Sequence, residues 1–439
     1  MKEQTSIPKH KLGRAASLAG AGMKVGVNYL RYKGTKALTG KDEKDKFHER
    51  TAADTYKTFS KLKGGPLKLA QILSMDKNMI PEQYSDEFSK AQYQAPPLSY
   101  PLVVRTFQRE VGKAPTEIFE TFTNKAVAGA SIGQVHKATK DGKDYAVKVQ
   151  YPGVADSLQS DLAIVKPIAM RLFQLEAKAI DPYMQEVESK LIEETDYELE
   201  LRRSVELAEK SADLEITKFP SYFPEFSSQK ILTMEWVEGM QSDQYAESDA
   251  PQEEKNKIAQ ALWDFYAHQI HTLRVFHADP HPGNFLVKDG ELWVLDFGCV
   301  KEVKEDFYEA YFKLMEPNVC KNKENLIPAL YDVDLLLEED DEATVTKLVE
   351  IFQESIILLN QPYMEGAYDF SDNTYFEELA AFGERTRNDK ELQAINSARG
   401  KADALYLNRT FFGVYNLMGL LKAKVNTSKE VEHRISKVC

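Results

Sequence analysis

An aspartate at 279, an asparagine at 284 and an aspartate at 296 stand in the segments HADPHPGNFLV (277–287) and VLDFGCV (294–300). These types in this order suit the holding of a hard divalent cation. Mg²⁺ takes oxygen donors, keeps several waters, and binds through one or two carboxylates together with phosphate oxygens. Asn284 and Asp296 lie on two turns joined through the apolar stretch Leu292–Leu295, so a carboxamide and a carboxylate can meet at one ion. Zinc hydrolysis is the chemical rival, because His277, Asp279 and His281 form a His-x-Asp-x-His run. A catalytic zinc takes three N, O or S side chains and a water. The motifs upstream favour phosphoryl transfer, since zinc would leave them unexplained.

The first of these is AVAGASIGQVHKA (126–138), followed by YAVKVQ (145–150). Two β-rich runs flank Asp141-Gly142, which is hairpin chemistry. Small residues at Ala128, Gly129, Ala130, Ser131 and Gly133, with Ile132 among them, let backbone N–H groups approach phosphate oxygens. Lys148 brings a positive charge to the same phosphates. A phosphate-covering loop followed by an Ala-Val-Lys strand is the arrangement of kinases. Such a lysine needs an acidic partner, and LIEETDYELELRR (191–203) offers several. On an ideal helix Asp196 and Glu200 share a face, whereas Glu194 and Asp196 are about 200° apart and serve different partners. Read from charge alone, the stretch is an acidic solvated face.

Four kinds of element must position these groups. Residues 1–41 are a basic segment with a small-residue helix over Leu12–Tyr32. Residues 42–122 read as helical, punctuated by Gly64-Gly65-Pro66; Lys68 and Gln71 share one face after that break. Residues 123–238 switch to strands, at Ile132–Ala138, Tyr145–Gln150 and Ile231–Val237, around a charged helical stretch at 155–215. Residues 239–439 are mainly helical, with Pro328 expected at the first position of its helix. The 439-residue chain, 43% hydrophobic and 28% charged, is long enough for two lobes and globular in composition. Its net charge of −13 argues against nucleic-acid binding, yet residues 1–41 carry nine Lys and Arg against one acid. That basic end suits an anionic membrane surface or the chain's own acidic face. Three scattered cysteines give no disulfide framework and fit a reducing compartment. No run approaches 18 apolar residues and no signal-type core opens the chain, so a cytoplasmic location, peripheral to a membrane, is expected.

Taken in order, the motifs resemble the UbiB or AarF-domain family of atypical kinases, also called coenzyme-Q-kinase-like, over roughly residues 60–300. The family's KxGQ motif matches Lys68-Leu69-Ala70-Gln71. Its Ala-rich loop matches Ala128-Gly129-Ala130-Ser131, and its ExD motif matches Glu194-Thr195-Asp196. The family's strand lysine falls on Lys148 and the ion-pair partner on Glu200. The catalytic loop falls on Asp279 and Asn284, and the DFG motif on Asp296. Ala70 and Gly129 depart from the pattern, which bears on the choice between ATP and ADP. The resemblance implies an α+β, two-lobed protein-kinase-like fold with a helical N-terminal extension and a mainly helical C-lobe. It also implies that the extension covers the active site, with Lys68 reaching Glu194. It further implies adenine nucleotide with Mg²⁺, held by Asn284 and Asp296, and an attacking group oriented by Asp279. Glu235 and Val237 would offer backbone groups to the adenine edge. The expected activity is an ATPase or small-molecule or lipid kinase tied to an isoprenoid quinone intermediate or another membrane lipid. A protein kinase and a nucleotide-binding scaffold without turnover are the alternatives. A phosphorylated protein substrate would mark the first, and binding without phosphate release the second.

Overall fold

The computed structural model describes residues 11–39, 43–62, 66–67, 70, 82–89, 98–129, 132–173, 184, 188–189, 191–364, 366–395 and 399–427. It is an α+β chain that divides into two compact units. The first comprises Met1–Arg202 and Ser221–Trp236, the second Arg203–Pro220 and Val237–Cys439.

The first unit is built on an antiparallel sheet in the order Thr121–Phe122, Gly133–Lys140, Lys143–Gln150, Ile231–Glu235, with Ala128–Gly129 also paired to Gly133–Lys140. Asp141 (φ 50°) and Gly142 (φ 71°) make the turn of its central hairpin. Positive φ at both positions gives a turn whose twist matches that of the strands, which is why an Asp-Gly pair stands there. The helix Tyr100–Val111 has Pro101 in its first turn and ends at Gly112, whose positive φ suits a C-terminal cap. Its buried Val103 and Phe107 pack with Phe119, Phe122, Tyr145 and Val147.

The basic N-terminal helix runs over Lys11–Thr39, longer than the sequence pattern indicates. Its glycines weaken it locally, and tertiary contacts compensate. Leu18 is buried in a cluster with Phe59, Leu62, Leu158 and Leu162. Arg14 is buried as well, with Nε donating to Asp161 Oδ1 at 2.9 Å and Nη1 donating to the Leu62 carbonyl at 2.8 Å. Further along, Met23, Val27 and Leu30 are exposed, Met23 at 69% and Leu30 at 72%.

The second unit packs around Trp263, Phe265, Phe276, Phe285, Phe297 and Tyr415. One sheet runs Thr217–Lys218, Glu291–Val294, Phe285–Lys288, Met240–Gln241; a separate pair joins Val275–His277 to Val300–Glu302. The helix Gln252–Ala267 passes into a wider turn at His268–Leu273, and Arg274 (φ 56°) ends it. Pro328 does not open its helix. That helix starts at Lys323, where the Asn322 side chain accepts from Glu324 N, and Pro328 stands inside it. The asparagine cap satisfies the orphan N–H groups and fixes the start upstream of the proline. Among the described residues no helix is long and apolar enough to cross a membrane.

Candidate functional site

In the first unit, Lys148 lies on the strand Lys143–Gln150, opposite Val135 on one side and Leu232 on the other. Central placement buries it, and a buried ammonium requires a partner. Its Nζ donates to Glu200 Oε1 at 2.8 Å. Glu200 is buried on the helix Tyr197–Lys210. Tyr197, fully buried, presents its ring 5.0 Å from the same Nζ. A Cβ at Gly133 would come within 2.6 Å of both Tyr197 Oη and the Val149 carbonyl. Gly133 is therefore required by close approach. At Gly129 a Cβ would meet nothing. Ala128 and Gly129 are exposed, and Ala130 and Ser131 lie outside the described residues. Ile132 is buried behind the strand, in a cluster with Tyr151, Tyr197 and Leu232.

The ideal-helix placement of Glu194, Asp196 and Glu200 needs correction. The helical turn before Thr195 ends there, and a new helix begins at Tyr197. Asp196 caps it, with Oδ1 accepting from Glu198 N at 3.1 Å and Leu199 N at 3.0 Å. A carboxylate there also meets the positive end of the helix dipole. Glu194 is buried, Asp196 half-buried. The expected reach of Lys68, and the role of Gln71, fall outside the described residues. Glu235 closes its strand opposite Tyr145, and its N–H is already given to the Ser221 carbonyl at 2.8 Å. Val237 is buried.

In the second unit, backbone pairing brings two loops face to face. His277 pairs with Val300, and Ala278 N donates to the Cys299 carbonyl at 2.8 Å. At the other end Phe285 pairs with Val294, and Leu295 N donates to the Asn284 carbonyl at 3.0 Å. Residues 278–284 and 295–299 are thus opposed between two ladders. Asp279, Asn284 and Asp296 lie on these opposed loops, each half-buried. Asn284 Nδ2 donates to the Asp279 carbonyl at 2.9 Å, which commits the amide nitrogen and sets the direction of Oδ1, the side chain's oxygen donor. Asp296 Oδ1 accepts from Gly298 N at 2.7 Å, which sets the carboxylate's orientation. Both offer hard oxygen donors of the kind Mg²⁺ takes.

The histidines brace this loop. His281 Nδ1 accepts from Gly283 N at 3.0 Å. His277 N–H donates to Gln269 Oε1 at 2.9 Å, and its Nδ1 lies 3.1 Å from Tyr266 Oη. Burial, then the charge of Asp279, pushes the Tyr266 hydroxyl well above its ordinary range. Tyr266 therefore stays a neutral phenol. Among the described residues no three His, Cys, Asp or Glu side chains converge as a metal cluster. Tyr197, Tyr266 and Gln269 escape sequence reasoning. Only Tyr197 carries a signal, its place directly after Glu194-Thr195-Asp196.

Residues 90–330 match the ABC1 atypical kinase-like domain. The chain is 30% identical over 309 residues to the Arabidopsis thaliana chloroplastic protein named ACTIVITY OF BC1 COMPLEX KINASE 8, across 67% of this chain and 40% of that one. It is 26% identical over 380 residues to the mitochondrial atypical kinase COQ8 of Saccharomyces cerevisiae, across 84% and 73%. The chain thus spans well under half of the Arabidopsis relative. A Mycobacterium tuberculosis protein, Rv3197, solved with erythromycin, shares the fold with a TM-score of 0.60 and 25% identity, over 89% of this chain and 96% of that one.

Proposed function

The chain belongs to the ABC1 atypical kinase-like family, and we propose that it is a Mg²⁺-dependent ATPase or small-molecule or lipid kinase serving isoprenoid quinone or other membrane lipid metabolism. One observation carries the reading: the loops bearing Asn284 and Asp296 are opposed, with the Asn284 amide already turned by its bond to the Asp279 carbonyl. Mg²⁺, when bound with ATP or ADP, supplies neutralisation of phosphate charge. Asn284 Oδ1 and the Asp296 carboxylate would hold it. Lys148, held by Glu200, would meet phosphate oxygens. Backbone N–H groups of 129–134 would cover them, and Glu235 and Val237 would meet the base. Asp279 would orient the attacking hydroxyl or water. Phosphoryl transfer is mostly positioning and electrostatics, so these fixed side chains suit it.

The membrane part of the reading is supported by the exposed Met23, Val27 and Leu30, spaced for one helix face, with exposed Arg31, Lys33 and Lys36 nearby. An apolar stripe beside basic side chains suits an anionic interface. The Met23→Glu/Leu30→Glu variant should lose sedimentation with anionic vesicles, and unchanged sedimentation would remove this part.

The central test is thermal melting of wild type and Asp296→Asn with Mg²⁺-ATP, Mg²⁺-ADP or neither. Nucleotide at 100 times Kd adds about 2.7 kcal/mol of stability. A Mg²⁺-dependent shift in wild type, lost in Asp296→Asn, supports the reading and leads to lipid-stimulated phosphate release. No shift in either protein rejects it.

A further inference from the structure

The helix Ala402–Leu420 lies beyond the matched residues 90–330. Gly413 sits within it, where an alanine would ordinarily favour the helix. A Cβ built at Gly413 would stand 2.2 Å from Pro280 Cγ and 3.0 Å from Pro280 Cβ. Carbon atoms rest at about 3.5–4.0 Å, so a side chain at 413 and the present Pro280 cannot coexist. By contrast, Gly20, Gly26 and Gly34 of the N-terminal helix have nothing within 4 Å of a built Cβ. Gly413 does not adopt a left-handed φ, so close approach, not backbone conformation, explains the glycine.

Pro280 is buried between Asp279 and His281. Its ring is rigid and cannot swing aside as a flexible side chain would. The carbonyl of the preceding Asp279 accepts from His281 N at 2.7 Å and from Asn284 Nδ2 at 2.9 Å. Displacing Pro280 therefore displaces the carbonyl that orients the Asn284 amide. We infer that Gly413 is a positioning residue: it forms the notch that seats Pro280 and so fixes Asn284 for its cation. The inference rests on the reading of Asn284 and Asp296 given above. It also extends the working part of the chain past residue 330, into a helix that carries none of the motifs.

The test uses the full chain as wild type, Gly413→Ala, Pro280→Ala and the double variant. Each is melted with ATP over a range of Mg²⁺ concentrations, with circular dichroism as the check on helix content. Gly413→Ala should keep its helix content and raise the Mg²⁺ needed for a half-maximal shift about tenfold or more, since small misplacements of catalytic groups carry large penalties. In the double variant Cγ is gone and only the 3.0 Å contact to Cβ remains, so the requirement should return most of the way to that of Pro280→Ala alone. A simple packing role would not move the Mg²⁺ requirement. If Gly413→Ala folds poorly, recovery of folding and of the Mg²⁺ response in the double variant supports the inference, and continued misfolding overturns it. A wild-type Mg²⁺ requirement in Gly413→Ala, or the same penalty with and without Pro280, also overturns it. A wild type with no response to Mg²⁺ and ATP overturns the parent reading, and this inference with it.

Discussion

Lys148 Nζ lies 2.8 Å from Glu200 Oε1, and the two side chains are only 7% and 3% exposed. Burying such a pair is costly, and apolar residues of similar volume often serve stability as well. Retention of both charges therefore points to use of the ammonium. Glu200→Ala takes this carboxylate away from a buried ammonium, which should lower stability by about 3–5 kcal/mol in urea unfolding. Lys148→Met/Glu200→Leu should recover most of that loss while abolishing the nucleotide-induced melting shift. A double variant that still binds nucleotide would separate the pair from the phosphates.

Gly133 and Gly129 should behave oppositely. At 133 a new Cβ meets a backbone carbonyl and the fully buried Tyr197. Gly133→Ala should cost about 1–3 kcal/mol in stability and weaken nucleotide binding. At 129 the space is open, and Gly129→Ala should stay within about 0.5 kcal/mol of wild type. Gly129→Ala restores the alanine expected from the family resemblance, so its effect should appear in the ratio of ATP to ADP affinity measured by titration.

The contrast between these glycines shows what the sequence carries. Small residues before an Ala-Val-Lys strand mark the loop, but which glycine is required depends on Tyr197, brought to it by folding. Asp141-Gly142 announces its hairpin because the turn is local. Asp279, Asn284 and Asp296 are legible because their spacing follows from two short hairpin-like connections. The capping role of Asp196 is not legible, since an acidic run gives no sign that one helix stops at Thr195 and another starts at Tyr197. Pro280 and Gly413 are 133 positions apart, and nothing local links them. Pro328 misleads because a proline inside a helix is disfavoured, and the cap at Asn322 outweighs it.

His136 gives a pH dependence. It is fully buried, and burial lowers its pKa below 6.5; a hydrogen bond to the Thr123 carbonyl opposes this more weakly. Nδ1 lies 2.7 Å from that carbonyl and must donate, while Nε2 faces Gln134 Nε2 at 2.9 Å and must accept. The ring is therefore neutral in the fold. Below about pH 6.5 the unfolded chain takes up a proton that the native ring resists. This contribution is thus intact above pH 6.5 and declines as pH falls toward the lowered native value. Melting temperatures between pH 5 and 7.5 should fall less steeply in His136→Gln than in wild type. Parallel profiles would show that His136 does not contribute.

Arg14 and Asp161 are 147 positions apart and nearly inaccessible, at 2% and 1% exposure. Their ion pair, with Ser157 Oγ donating to Asp161 Oδ2 at 3.1 Å, fastens the helix Lys11–Thr39 to the helix Val154–Phe173. The exposed Met23, Val27 and Leu30 play no part in this attachment. Asp161→Ala leaves a buried guanidinium without its carboxylate and should cost about 3–5 kcal/mol, with faster proteolysis between residues 15 and 39. Vesicle sedimentation should survive, because the apolar stripe is intact. Loss of sedimentation in Asp161→Ala at a temperature where the protein remains folded would mean that the docked arrangement of the helix, not its apolar stripe alone, makes the membrane contact.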